Sequence, residues 1–329
     1  MKKTTWVVLV ILCLFLESCN TDFNINAPHQ DVYILNCILR NDNSIQYAIV
    51  SRNYFTEDGT APAPNSIDLS IKGADVRIYH NDSVFVMRDT VLQITDSGSE
   101  TLVNCYYVTN LTLRPGEVIS IEATVPDGTL LKSSTQVPNI SFVDLSRNFP
   151  QSYKTGYHTR PNYSWKWIGV AGESTTILDL PQLEVHYKQY EGGTTVDKNI
   201  LVPLAFYFTF DENFNLVPVN VKLSPNTSCV TTLETVNNTM QAISSDDPSK
   251  ENYTITNVVF RVLSLDPALS KYYSAYDTYS RDFTIKLRQT DYSNIEGGKG
   301  IFGLLYNISV PLVVDSLYIE SFGYRYHPS

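Results

Sequence analysis

The sequence predicts a mainly β protein, an N-terminal immunoglobulin-like antiparallel β-sandwich followed by a larger β-rich domain with two short helices. Three observations predict it. Beyond residue 30 the chain is rich in Val, Ile, Thr and Tyr in short runs, and Gly, Pro, Asn and Asp separate those runs. This is the punctuation of stacked antiparallel strands. Several runs alternate apolar with polar residues, the period of a sheet with one buried face. Only two stretches carry apolar residues at the three-to-four spacing of a helix.

The first element is an export signal. Lys2 and Lys3 precede the apolar run Trp6–Leu16, which is far shorter than the roughly 20 residues a membrane-spanning helix needs. Leu16-Glu17-Ser18-Cys19 follows. It resembles the lipobox of bacterial lipoprotein precursors, in which the cysteine takes a diacylglycerol and the chain is cut just before it. Residues 1–18 are therefore expected to be a signal peptide and Cys19 the lipid attachment point, the alternative being an ordinary secretory signal with Cys19 incidental. Acyl chains contribute about 0.8 kcal/mol per buried CH₂, so several on one cysteine hold a protein at a membrane without a spanning helix. Residues 19–30 are polar and read as a tether.

The sandwich is expected over residues 31–138. Val32–Arg40 and Ile45–Asn53 flank the turn composition Asn-Asp-Asn-Ser and form a hairpin. A second hairpin turns at Asn81-Asp82, after a run in which Val76 and Ile78 alternate with Arg77 and Tyr79. A third pair of strands lies between Pro115-Gly116 and Pro138, turning at Pro126-Asp127-Gly128. About seven strands with such turn spacing suit a sandwich without the antibody Cys-Trp-Cys pattern.

The second domain is expected over 139–329. Tyr163, Trp165 and Trp167 share one face of a strand, and two long strands meet at Glu191-Gly192-Gly193. Val230, Leu233, Val236, Met240 and Ile243 recur at helical spacing. In the second helix Asp266 is the expected N-cap and Pro267 the first helical residue, with Leu269, Tyr272, Tyr273 and Tyr276 along one stripe. The run from Ile301 to Tyr324 reads as further strands.

A formal net charge of -10 without any basic cluster argues against nucleic acid as a partner. Cys37, Cys105 and Cys229 remain beyond the anchor, an odd number without a C-x-x-C pair, so neither a disulfide scaffold nor a structural zinc site is indicated. Cys37 and Cys105 are left open as a pair, with at least one buried free thiol expected.

The order of an apolar strand, the Tyr-rich helix, a polar link and Ser293-Asn-Ile-Glu-Gly-Gly-Lys-Gly-Ile-Phe-Gly303 resembles the C-terminal signature of the domain of unknown function 4249 family, uncharacterised lipoproteins of Bacteroidota. "LRPGEVISIEATVPDG" with "STQVP" is similar to that family's N-terminal module. Lys299 stands where the family more often has an apolar residue. The resemblance implies an exported protein lipid-anchored at the outer membrane, on its periplasmic or surface-exposed face, and often an accessory of TonB-dependent transport. It supplies no activity. It also implies O-glycosylation at Asp-Ser/Thr-aliphatic tripeptides, here Ser83, Thr90 and Ser316.

The search for chemistry finds little. Gly298-Lys-Gly300-Ile-Phe-Gly303 satisfies the dinucleotide fingerprint in letters, but strands follow it where a helix must open, so no cofactor is expected. Asn294, Glu296, Gly297, Gly298, Gly300, Phe302 and Gly303 are read as a structural crossing between strands, with Ile301 and Phe302 packing inward. His29, His80, His158, His186 and His327 are scattered and no metal site is expected. Asp211, Asn213 and Asn215 take the first spacings of a calcium loop, but Leu216 and Lys222 fill positions that need Gly and Glu, and a hairpin turn explains the same residues. Asp246 with Asp247, and Asp96 with Glu100, read as solvated loop charge.

The leading expectation is a non-enzymatic accessory binding or scaffold protein of the cell envelope. A first alternative is glycan capture by the Tyr163/Trp165/Trp167 face, against which stands the reading of those rings as a core stripe. A second is a hydrolase whose carboxylates converge from distant positions.

Overall fold

A computed structural model describes residues 32–53, 69–96, 99–145, 162–169, 177–274 and 292–328. The first part supplies β1 (Tyr33–Arg40), β2 (Ile45–Arg52), β3 (Asp75–His80), β4 (Ser83–Val86), β5 (Arg88–Asp96), β6 (Ser99–Thr109), β7 (Val118–Thr124) and β8 (Leu130–Gln136). The rest supplies β9 (Ile140–Leu145), β10 (Asn162–Gly169), β11 (Asp179–Glu191), β12 (Thr194–Val202), β13 (Ala205–Phe210), β14 (Leu216–Asn220), β15 (Ser228–Thr232), β16 (Tyr253–Leu265), β17 (Lys299–Pro311) and β18 (Arg325–Tyr326). Three helices join them: α1 (Leu233–Ala242), α2 (Pro267–Ser274) and α3 (Ser316–Glu320). The chain is mainly β with several antiparallel sheets, as its alternation predicts. Among the described residues no helix is long and apolar enough to cross a membrane.

One long sheet runs through the molecule in the order β12-β11-β16-β17-β1-β2-β6-β5, with β18 beside β16. Its first-half strands share a core with the four-stranded sheet β4-β3-β7-β8, where Leu35, Val50, Val76, Ile78, Ile121, Leu131 and Phe302 are buried. Its second-half strands share another with the five-stranded sheet β14-β13-β15-β10-β9, to which α1 adds Val236 and Met240 and α3 adds Tyr318 and Ile319. A third cluster forms where Leu269 and Tyr272 of α2 meet Leu265, Ile301 and Leu305 of β16 and β17. Each fully buried aliphatic or aromatic side chain stabilises by about 1.5–3 kcal/mol relative to exposure, so these clusters are what hold the sheets face to face.

The local hairpins follow from their turns: β1 with β2, β3 with β4, β7 with β8 and β11 with β12 all pair antiparallel. The link between the two ends of the chain is not local. β1 lies parallel to β17, from Ile34 opposite Lys299 to Arg40 opposite Leu305. The long sheet therefore continues past residue 138 without a break.

Two details differ from the sequence reading. α1 begins at Leu233 because the Thr232 hydroxyl accepts from the Thr235 N–H as an N-cap, which leaves Val230 in β15. The run after Ile301 is a strand only to Pro311; the Asp315 carboxylate then caps α3 through the Leu317 N–H at 3.0 Å. Cys37, Cys105 and Cys229 are all free and buried, and β2 separates the strands that carry the first two. Burial pushes the Cys37 thiol up to about 12, so it behaves as a small apolar group. The second helix does start at Pro267, with the Asp266 carboxylate accepting from the Leu269 N–H at 2.8 Å. Tyr276 lies outside the described residues.

Candidate functional site

The alternation of β10 puts Tyr163, Trp165 and Trp167 on one face, and that face is core. Their exposures are 5%, 2% and 0%. Trp165 stacks on Phe260 of β16, ring centroids 4.9 Å apart, and the Trp167 indole N–H donates to Asp179 at 2.8 Å. A sugar cannot reach these rings, so Tyr163, Trp165 and Trp167 are a packing stripe, as the core reading has it, and not the stacking platform of the glycan alternative. The reason is positional: β10 lies between β15 and β9, and the face that carries these rings packs against the long sheet while its other face is exposed.

The glycine-rich stretch is a joint between elements. The Asn294 carboxamide pairs twice with Phe302, donating to its carbonyl at 2.7 Å and accepting from its N–H at 2.9 Å. Glu296 exchanges two backbone hydrogen bonds with Lys132 of β8, at 2.8 and 3.1 Å. Gly297 and Gly300 have φ of +80° and +114°, where L side chains are strained. A methyl on Gly300 would stand 2.1 Å from the Leu35 carbonyl oxygen, and one on Gly303 2.4 Å from Leu269 Cγ. Gly298 is pressed as closely by the Tyr33 carbonyl, 2.5 Å from where its methyl would be. β8, β1 and α2 thus occupy the space that a cofactor phosphate would need, and β17 follows where a dinucleotide loop opens a helix. Ile301 and Phe302 are 1% and 0% exposed.

Asp266 sits beside this joint with no exposure. The Thr135 hydroxyl of β8 donates to it, and its own N–H donates to the Leu304 carbonyl at 2.9 Å. Burial raises its carboxyl to about 6, against the lowering effect of the Thr135, Leu269 and Leu304 donors. Asp179 is raised by burial too, with the Trp167 N–H opposing; Ser264 stands close without a well-aligned hydrogen bond. Both carboxyls are interior groups that tie strands together.

Among the described residues no group of three or more His, Cys, Asp or Glu side chains is placed to hold a metal. His80 Nε2 meets Glu117 at 2.7 Å, and Glu184 meets both His186 and Arg261 at 2.9 Å. His29 and His158 lie outside the described residues, as does Cys19. His327 is exposed. Asp247 accepts from the Tyr253 hydroxyl at 2.9 Å and the Ser249 N–H at 2.8 Å, a loop tie. Asp96 and Glu100 fall on the paired strands β5 and β6. Of the three tripeptide positions, Ser83 is exposed while Thr90 and Ser316 are half-buried, Ser316 opening α3. An open groove of about 540 Å³ borders α1, lined largely by carboxamides such as Asn162, Asn238 and Gln241.

The feature that stands apart is the β13–β14 hairpin. β14 is the edge of its sheet, and Phe210 faces Leu216 across the ladder beside the turn. Tyr207, Phe210 and Leu216 are 57%, 67% and 60% exposed, and Phe214 in the turn is 85% exposed. The turn is ordered. Asp211 Oδ1 accepts from the N–H groups of Asn213 and Asn215 at 2.9 and 2.8 Å, and Oδ2 from Asn215 Nδ2 at 3.1 Å. These donors, the Asn215 N–H first, hold the Asp211 carboxyl below its usual range. The Asp211 carboxylate, the one charged group of the calcium-like spacing, is therefore engaged by the turn itself. Phe214 has φ of +60°, a conformation rarely adopted by a bulky side chain. Sequence reasoning found this hairpin but not its exposure. The available signal was the lack of alternation: "FYFTF" and "LVPV" are apolar at successive positions, which a strand buried on both faces also shows.

What the fold and these surfaces define is a β-sheet protein with a glycine-locked interior joint and one displayed aromatic hairpin. The chain belongs to the family of the domain of unknown function DUF4249, whose model matches residues 20–307, a span holding both the joint and the hairpin. A search of curated proteins returned no match.

Proposed function

We propose that this chain is an exported, lipid-anchored accessory protein of the cell envelope, held at the outer membrane through Cys19, that acts by binding a partner and not by catalysis. The observation that carries the reading is the β13–β14 hairpin, an ordered element that spends large aromatic side chains on solvent. Exposed apolar groups gathered on one element mark interaction sites far more often than scattered ones do. The anchor reading is supported by the apolar run that ends at Leu16-Glu17-Ser18-Cys19. A TonB-dependent outer-membrane transporter is the partner class that the family resemblance suggests.

Cys19→Ala is expected to move the protein from the membrane to the soluble fraction and to abolish its uptake of labelled fatty acid. A variant that stays with the membranes, with a wild-type chain that takes up no label, overturns the anchor. Co-purification from mild detergent tests the partner class: the expected result is a stoichiometric outer-membrane transporter, and a wild-type chain recovered alone under conditions that preserve other envelope complexes counts against it.

A further inference from the structure

We infer that the tip of the β13–β14 hairpin is a preorganised docking point for a protein partner that offers an apolar pocket rimmed by Lys or Arg. The inference rests on the accessory-protein reading for the existence of a partner and adds where and by what chemistry that partner is held. Four observations lead to it.

The first is the display itself. Phe210, Phe214 and Leu216 cluster at the tip and are each at least 60% exposed. Burying such rings in a partner's pocket is how interface anchors contribute most of their affinity. The second is strain. A Phe held at φ +60° costs free energy that nothing inside the chain recovers, since the ring touches little of its own protein. Such outliers persist where the surroundings over-determine them, and here the three hydrogen bonds to Asp211 do so. A turn backbone fixed in this way loses little freedom on binding, which favours affinity.

The third observation concerns the edge. An open edge strand invites another strand, but Pro218 stands in the middle of β14, where a missing N–H is tolerated only toward the open side. It interrupts the row of donors that an added strand would need. Contact is therefore made by side chains at the tip. The fourth is charge. Asp211 and Glu212 are the only charged residues from Ala205 to Val221, and both are acidic. An acidic pair beside the rings repels the anionic surface of a bilayer and attracts a basic rim on a protein. A second copy of this acidic chain fits less well for the same reason.

The test uses the full chain in its native envelope with a photo-crosslinking phenylalanine at position 214, and the same probe at Val118, an exposed residue of the four-stranded sheet, as control. The expected result is an adduct at 214 and not at 118, joined to a different polypeptide whose crosslinked peptide is apolar with flanking Lys or Arg. Phe210→Ala with Leu216→Ala should cut the adduct at least tenfold, and Glu212→Lys severalfold, while far-UV spectra and melting temperatures stay unchanged. An adduct of the chain with itself, an adduct only with lipid, or equal adducts at both positions overturns the inference. The anchor fails separately: a Cys19→Ala chain that remains in the membrane fraction removes the anchor and leaves an adduct at 214 standing. A wild-type chain that is anchored but forms no adduct at 214 removes the docking point alone.

Discussion

Strand β10 and the β13–β14 hairpin belong to the same sheet and are both rich in aromatic residues, yet the rings of one are in the core and several of the other's are exposed at the sheet's edge. "YSWKW" separates its rings by Ser164 and Lys166, so one face is apolar and the other wet. "FYFTF" does not alternate, and it lies on β13, which pairs with β15 only at Ala205, so no burial solution covers both its faces. The lesson is that aromatic content says little about ligand contact. What separates packing from display is whether the intervening residues are polar, and whether the strand has neighbours on both sides.

The largest expected effect comes from breaking the buried side of this comparison. Trp165→Ala removes a ring stacked on Phe260 and leaves a cavity between two sheets. It should cost about 3–5 kcal/mol in urea unfolding. Phe210→Ala, with a comparable ring lost at the rim, should stay within about 0.5 kcal/mol of wild type. Equal losses at the two sites would mean that the hairpin is packed in solution. Gly300→Ala should fall near Trp165→Ala, at about 2–4 kcal/mol, because its φ of +114° and the Leu35 carbonyl together leave no room for a methyl.

Next in size is an effect of pH, and it has opposite signs in the interior and at the rim. Asp266 keeps its proton in the fold to about 6 against an ordinary 3.8, so the native state holds a proton that the unfolded chain has lost in between. Stability is therefore fully present below the unfolded value and falls by about 3 kcal/mol as pH rises through that window. Asp179, also raised by burial, adds in the same direction. Asp211 is lowered, so its contribution is present above the usual carboxylate range and is lost as pH falls through its folded value. Urea midpoints at pH 4.5 and 7 should lie closer together in Asp266→Asn than in wild type, since Asn keeps the cap without the titration. An unchanged difference would remove Asp266 as its source.

How far the sequence reaches can be stated from the same elements. Hairpins with Asn81-Asp82, Pro126-Asp127-Gly128 and Gly192-Gly193 turns are legible because register and turn are local. The parallel pairing of β1 with β17 joins residues more than 260 positions apart, and no periodicity within either strand encodes it. The short α3 is hidden because Val313 and Val314 lead into it; Asp315 was its only start signal. For the candidate site, the period of β10 places three rings on one face but cannot say what covers them. The positive φ of Phe214 has no sequence signature at all, because Asn213 and Asn215 beside it are the residues that normally take such positions.

The smallest effect separates strain from surface. Phe214→Ala keeps a Cβ at a left-handed backbone and loses only an exposed ring, so its stability should match wild type within about 0.5 kcal/mol. Phe214→Gly removes the Cβ conflict as well and should gain about 1 kcal/mol, raising the urea midpoint. Glycine there also loosens the unfolded chain, which offsets part of the gain and sets its sign as the informative quantity. Both variants should lose co-purification of the partner from mild detergent to the same extent. A glycine variant that is more stable yet no longer docks would mean that the protein accepts a strained turn in order to present one ring. A glycine variant that is less stable than the alanine one would show that position 214 is not held at positive φ in solution, and the hairpin would then resemble β10 in owing its rings to packing.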